Sequence, residues 1–234
     1  MRGTPGKTTQ HGQGVVEYGL ILVLAVGVVL VVLQALGVSL QDVFCRVAGG
    51  LGGGVCTAGK YCTESFDSLE NWANSTGWTI QEGKACNTKD GELRMYNTCS
   101  QKNKIPKDYV VTVDSAVLYK GNGYGVFFRQ QSTNPTTGYV FQYDPGYKGF
   151  IFRKWVNGWE LSPPFAVKAA PNFDWWNTNH KIKVEVKGST FRAYVDDELV
   201  LTGTDTTYTE GGVGLRTWDS TRVCLDDLAI SDIP

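Results

Sequence analysis

The sequence predicts an α+β chain: one long N-terminal hydrophobic helix followed by an all-β jelly-roll sandwich. Three observations carry that expectation. The run Gly19 to Leu40 has Gln34 and Ser39 as its only polar side chains. The segment 48–60 is glycine-rich, and residues 61–234 alternate short β-branched and aromatic runs with turn chemistry. These features divide the chain into a leader at 1–12, a helix at 13–47, a linker at 48–60 and a sandwich at 61–234.

The leader is polar, carries Arg2 and Lys7, and has no apolar core of its own, so it does not read as a secretory signal peptide. The 22 residues from Gly19 to Leu40 would span ~33 Å as a helix, enough for a ~30 Å hydrocarbon core. Valine is a mediocre helix former in water, but in lipid or a filament core backbone satisfaction forces the helix. Gly19, Ala25, Gly27, Ala35 and Gly37 would let neighbouring helices approach closely. Arg2 and Lys7 before the span place the leader in the cytoplasm and everything beyond Leu40 outside. Glu17 stands at the mouth of this run, where a carboxylate is expensive and is kept for a function. A plain membrane anchor leaves it unexplained.

The stretch Gly12-Gln13-Gly14-Val15-Val16-Glu17-Tyr18, followed by the apolar run, resembles the processing signature of type IV pilins, and among them the small Flp/Tad type. The resemblance covers about the first fifth of the chain. It implies cleavage by a prepilin peptidase after Gly12, with Gln13 as the new N-terminus, and Glu17 and Tyr18 as assembly residues. It further implies that Glu17 pairs with the freed amino group of a neighbouring copy. The partners so implied are copies of the chain in a helical homopolymer, the peptidase, the pilus assembly machinery, and the membrane before assembly. The implied location is the inner or cytoplasmic membrane for the precursor, then the cell surface.

Six cysteines, Cys45, Cys56, Cys62, Cys86, Cys99 and Cys224, all follow the apolar run. An even set in an exported segment suggests disulfides, whose pairing sequence alone does not choose. Proximity along the chain favours Cys45 with Cys56 and Cys86 with Cys99, leaving Cys62 with Cys224 to tie the first strand to the last. No Cys-x-x-Cys occurs, and His11 and His180 lie far from any cysteine cluster, which argues against zinc. Without Arg2 and Lys7 the 22 basic side chains fall to 20 against 23 acidic ones, so no nucleic-acid surface is indicated.

The 174 residues from Tyr61 to Pro234 suffice for one all-β core. Strands are expected over 109–118, 124–130, 139–144, 150–155, 181–187, 191–195 and 222–230. Asn122-Gly123, Asp144-Pro145-Gly146, Asn157-Gly158, Lys187-Gly188-Ser189, Asp196-Asp197 and Glu210-Gly211-Gly212 supply turns between them. This pattern suits a sandwich or jelly roll. Its motifs are similar to those of the laminin-G/concanavalin-like family: Phe66-Asp67 with Trp72 and Trp78, Gly123 to Arg129, Gly138-Tyr139, the segment opening at His180, Tyr194 to Asp196, Gly212 to Arg216 and Asp226-Asp227-Leu228.

Family 16 glycoside hydrolases share that superfamily, but their Glu-x-Asp-x-x-Glu run is absent. Retaining hydrolysis needs two carboxyls ~5 to 5.5 Å apart, and the adjacent Asp196-Asp197 and Asp226-Asp227 would point to opposite faces of a strand. The chain is therefore expected not to be an enzyme, with a hydrolase as the third reading. Arginine and an aromatic residue recur two apart, on one strand face, at Arg94/Tyr96, Phe127/Arg129, Arg153/Trp155, Arg192/Tyr194 and Arg216/Trp218. Arg129, Arg153, Trp155, Arg216 and Trp218 are the candidates for a surface of guanidinium groups and flat rings that fits sugars. The competing reading is that such pairs only finish the sandwich surface. Trp72, Trp78, Trp175, Trp176 and His180 are expected to be structural. No cofactor is expected beyond a structural calcium at Asp67, Asp226 and Asp227, by analogy with related sandwiches. The resulting expectation is a filament subunit whose exposed sandwich serves adhesion or binds surface polysaccharide. The alternative is a minor pilin or membrane-anchored lectin-like protein that does not polymerise on its own.

Overall fold

The structure, a computed structural model, describes Tyr18, Ile21 and residues 59–101 and 104–233. The chain divides into two compact units, Met1–Thr57 and Ala58–Pro234. In the first unit only Tyr18 and Ile21 are described; both are helical and largely exposed. Gly12, Gln13, Glu17, Cys45, Cys56 and the rest of the expected helix at 13–47 lie outside the described residues, as does most of the linker at 48–60. No helix among the described residues is long and apolar enough to cross a membrane.

The second unit is built from strands: β1 (Lys60–Glu64), β2 (Trp72–Ala73), β3 (Trp78–Gln81), β4 (Lys84–Asn87) and β5 (Leu93–Asn97). Long strands follow in β6 (Tyr109–Lys120), β7 (Tyr124–Thr133), β8 (Thr136–Asp144) and β9 (Gly149–Val156), then short β10 (Trp159–Glu160) and β11 (Ala166–Ala169). The chain closes with β12 (Asn179–Lys187), β13 (Thr190–Val195), β14 (Glu198–Thr204), β15 (Gly212–Thr217) and β16 (Arg222–Ser231). The expected α+β class is thus corrected to all-β, because the described chain is strand and turn apart from Tyr18 and Ile21.

Two antiparallel eight-stranded sheets form a β-sandwich. One runs β14-β13-β12-β6-β16-β4-β3, with β1 added on β16; the other runs β10-β9-β8-β7-β15-β5-β2, with β11 added on β9. Alternation decides the faces. In β12, His180, Ile182, Val184 and Val186 are buried while the residues between them are less so. Tyr124, Val126 and Phe128 of β7 and Tyr139, Phe141 and Tyr143 of β8 likewise enter one core with Phe191, Leu215 and Ile230. Rings pack edge-on and stacked through it, with Phe128 against Phe191 at 4.9 Å and Tyr124 against Trp175 at 5.1 Å. Trp72, Trp78 and Trp175 are buried, as expected. His180 is structural, held 2.7 Å from the Asp196 carboxylate and 2.7 Å from the Asp174 carbonyl.

The disulfides correct the expected pairing. Cys62 is joined to Cys99 and Cys86 to Cys224. The first strand does lie against the last, but its register sets Cys62 opposite Ile230, six positions beyond Cys224. Cys224 instead faces Cys86 across β16 and β4. Cys86 lies in β4 of the first sheet, whereas Cys99 sits in the turn that follows β5 of the second. The Cys62–Cys99 bridge therefore staples the two sheets. The expected calcium set is not gathered either: among the described residues no three His, Cys, Asp or Glu side chains form a metal-holding group. Asp67 accepts the Ser65 hydroxyl at 2.7 Å, and Asp226 accepts the Asp227 amide at 2.9 Å.

Candidate functional site

The outer face of the second sheet carries an interlocked set of charged groups. In β15, Val213 and Leu215 enter the core, so Gly212, Gly214 and Arg216 face outward. Register brings Arg216 opposite Arg94 of β5 on one side and Gly125 of β7 on the other, with Gln142 of β8 next in the row. Gly125 is required there: a Cβ at this position would stand 2.6 Å from Val140 Cγ2 and 3.1 Å from Arg216 Cγ. Its absence leaves a channel in which the Arg216 stem lies across the sheet.

Arg216 is buried, at 3% exposure, and nearly every donor is used. Nε and Nη2 grip Glu92 at 3.1 and 2.8 Å, and Nη1 donates to Gln142 Oε1 at 3.0 Å and to Glu160 Oε2 at 3.2 Å. Its guanidinium carbon lies 4.6 Å from the ring centres of both Trp155 and Trp218. Planar charge between two indoles with a two-pronged carboxylate is a geometry that arginine alone among the basic residues can fill.

The network extends both ways from this centre. Glu160 also holds Arg153 Nε at 2.6 Å, and Arg153 Nη2 reaches Asp144 at 3.1 Å while its guanidinium covers the Tyr147 ring. On the other side Arg94 lies 3.9 Å from Glu92, covers Trp155 at 5.1 Å and donates to the Thr136 hydroxyl at 2.7 Å. Three guanidinium groups thus alternate with three carboxylates. Below them Phe127, Val140 and Trp155 form a small apolar cluster separate from the main core. Burial pushes the Glu92 carboxyl up while Arg216 pulls it down, and the net direction is upward. A cleft of about 400 Å³ opens beside Glu92, Arg94, Tyr96 and Thr136.

Of the sequence candidates, Arg153, Trp155, Arg216 and Trp218 come together here, and Arg129 does not. Arg129 has a positive φ of 47° at a break in the β7 register, which turns its side chain away from Phe127. Its guanidinium donates to the Tyr208 and Lys107 carbonyls and covers the core ring of Phe191. Sequence reasoning missed Glu92, Asp144, Glu160 and Gln142, and set Arg94 aside. The signal for Arg94 was its spacing to Tyr96, the same as that of Arg216 to Trp218.

The architecture is a two-sheet antiparallel β-sandwich that carries this charged network on one outer face. Residues 62–230 match the 3-keto-alpha-glucoside-1,2-lyase-like domain, and the chain belongs to that family. This corrects the pilin assignment drawn from the short motif Gly12 to Tyr18: the match runs through the sandwich. The chain is 28% identical over 159 residues to the levanase of Bacillus subtilis (strain 168), covering 64% of this chain and 22% of that protein. It thus spans under a quarter of that relative's length. Among solved structures, the carbohydrate-binding module CBM66 from Bacillus subtilis superposes with a TM-score of 0.58 at 22% identity, covering 69% of this chain and 96% of that one. The exoplasmic/lumenal domain of VIP36, in its Ca2+/Man3GlcNAc-bound form, gives 0.58 at 12% identity, covering 76% and 90%. These likenesses show the fold.

Proposed function

We propose that the sandwich is a non-catalytic carbohydrate-binding module that takes a β-fructan on the face centred on Arg216. The observation that carries this reading is the alternating chain Asp144–Arg153–Glu160–Arg216–Glu92–Arg94, which holds donors and acceptors in fixed positions between tryptophans. Sugar hydroxyls are both donors and acceptors, and such an edge satisfies them without ordering flexible side chains on binding. Trp218 and the 78%-exposed Trp159 add ring faces at the margin. The levanase relative motivates the choice of a fructan. A binding role is favoured over hydrolysis because each of the three carboxylates is engaged by a guanidinium. The two disulfides among the described residues suit a location outside the cytoplasm.

Retention of the full-length chain on immobilised levan, inulin, dextran, mannan and cellulose tests this. Retention on a fructan is expected, and it should fall at least tenfold in Glu160→Gln, which keeps the side-chain shape but weakens the link between Arg153 and Arg216. Binding to none of the five, or unchanged retention of that variant, would overturn the reading.

A further inference from the structure

We propose that a second sugar-binding subsite, centred on the Gln130 side chain, adjoins the charged face, so that the chain grips more than one unit of its polysaccharide. This inference rests on the carbohydrate reading above and deepens it. Gln130 is only 5% exposed, yet neither its amide nitrogen nor its amide oxygen closes a well-aligned hydrogen bond; the Tyr96 hydroxyl is near enough to interact with the amide, but its own well-formed bond goes to Thr136 at 2.7 Å. Buried amides are nearly always paired, and leaving both ends open is costly unless something outside the chain completes them. The amide lines a cleft of about 320 Å³ with Tyr96, Gln101, Gln131 and Ser132.

The sequence builds this arrangement at some expense. The β7 register breaks where Arg129 takes its positive φ, and Gln130 is set opposite Gly212. Its side chain then lies over Gly214: a Cβ there would come within 2.5 Å of the Gln130 amide oxygen. Any other residue at 214 would therefore displace that amide. Gly214 and Arg216 are two positions apart on the same outward face, a separation of about 6.8 Å along the strand. That is close to the length of one sugar unit.

Thr136 joins the two places, since its hydroxyl is bonded both to Arg94 and to the Tyr96 hydroxyl, each at 2.7 Å. Tyr96 borders both clefts. No charged side chain lines the Gln130 cleft among the described residues. A carboxamide offers one donor edge and one acceptor, which complements a pair of neighbouring hydroxyls on an uncharged sugar. The charged face and the amide cleft thus suit successive units of one neutral glycan.

Calorimetric titration of the full-length chain with methyl β-fructofuranoside and with a β-2,6-linked fructotriose tests the proposal. The wild type is expected to bind the trisaccharide about tenfold more tightly than the single unit, the gain of two modest hydrogen bonds. Gln130→Leu should cancel that gain. Thermal unfolding of the variant, expected unchanged or raised because an unpaired amide is removed, checks that the fold survives. Equal affinity for the two ligands in the wild type, or the full gain retained in Gln130→Leu, would overturn the second subsite and leave the carbohydrate reading standing. Failure of the wild type to bind either ligand would defeat that reading and the subsite with it.

Discussion

Arg216 keeps its charge almost wholly out of water because Glu92, Glu160 and Gln142 surround its donors. Removing it leaves Glu92 with Arg94 alone and Glu160 with Arg153 alone, a loss of about 3 kcal/mol, toward the lower end of the buried-pair range because those partners remain and both carboxylates stay partly exposed. Arg216→Met should therefore lower unfolding free energy by that amount in urea, and adding Glu92→Gln should recover part of it; a second loss of equal size would refute the pairing. Asp205 gives a pH test. Burial works to raise its carboxyl, but hydrogen bonds from Lys154, Tyr139 and Thr207 outweigh it and hold the group well below its ordinary 3.8. A depressed carboxylate stabilises the fold above its unfolded pKa and loses that contribution as pH falls. Stability should thus drop as the pH goes below about 3.8, and Asp205→Asn should flatten this acid limb; an unchanged limb would contradict it. The site was half legible at this scale. Arg153/Trp155 and Arg216/Trp218 follow strand periodicity, whereas Glu92, Asp144 and Glu160 sit at or near strand ends where no period points to them. Arg129 misled because a single left-handed residue reverses a face.

The strands explain what the sequence conveyed and what it hid. The long strands β6 to β9, β12, β13 and β16 were expected near their observed positions, since alternation persists through each and a turn-forming pair separates many of them. The short β1 to β5, and β10, β11, β14 and β15, were given no strand bounds, although a first strand at Cys62 and strand faces at Arg94/Tyr96 and Arg216/Trp218 were assumed. Two to seven residues carry too little alternation, and β15 reads Gly-Val-Gly-Leu, with glycines where outward side chains would show a pattern. Disulfide pairing was lost for the same reason: without β4 and β5 in place, nothing says that Cys86 lies in one sheet and Cys99 just beyond a strand of the other. The observed pairs make a quantitative prediction. Cys86–Cys224 closes 138 residues and Cys62–Cys99 closes 37, worth about 5 and about 4 kcal/mol in the chain-entropy account. The double alanine variant of the first pair should unfold at lower denaturant than that of the second; the reverse order would show that strain or residual structure dominates.

At the scale of the whole molecule, the outer face of one sheet carries the interlocked guanidinium and carboxylate groups over the small Phe127, Val140 and Trp155 cluster, while the interior between the sheets is filled by aliphatic and aromatic side chains. The sandwich was readable from turn spacing, because many short β-rich segments without a helical period leave few other architectures. The family was not, because the seven residues Gly12 to Tyr18 drew the assignment while the diagnostic likeness is spread thinly over 62–230. The claim that matters most is that sugar is held at the Arg216 face. A nitrogen-15 correlation spectrum of the full-length chain, titrated with fructan oligosaccharide, reads this directly through the side-chain N–H groups. The Nε signals of Arg94, Arg153 and Arg216 and the indole signals of Trp155 and Trp218 should shift together and saturably, while the amides of Cys86, Cys224 and Tyr119 on the opposite sheet stay in place. Shifts confined to that opposite sheet, or none anywhere, would contradict the account.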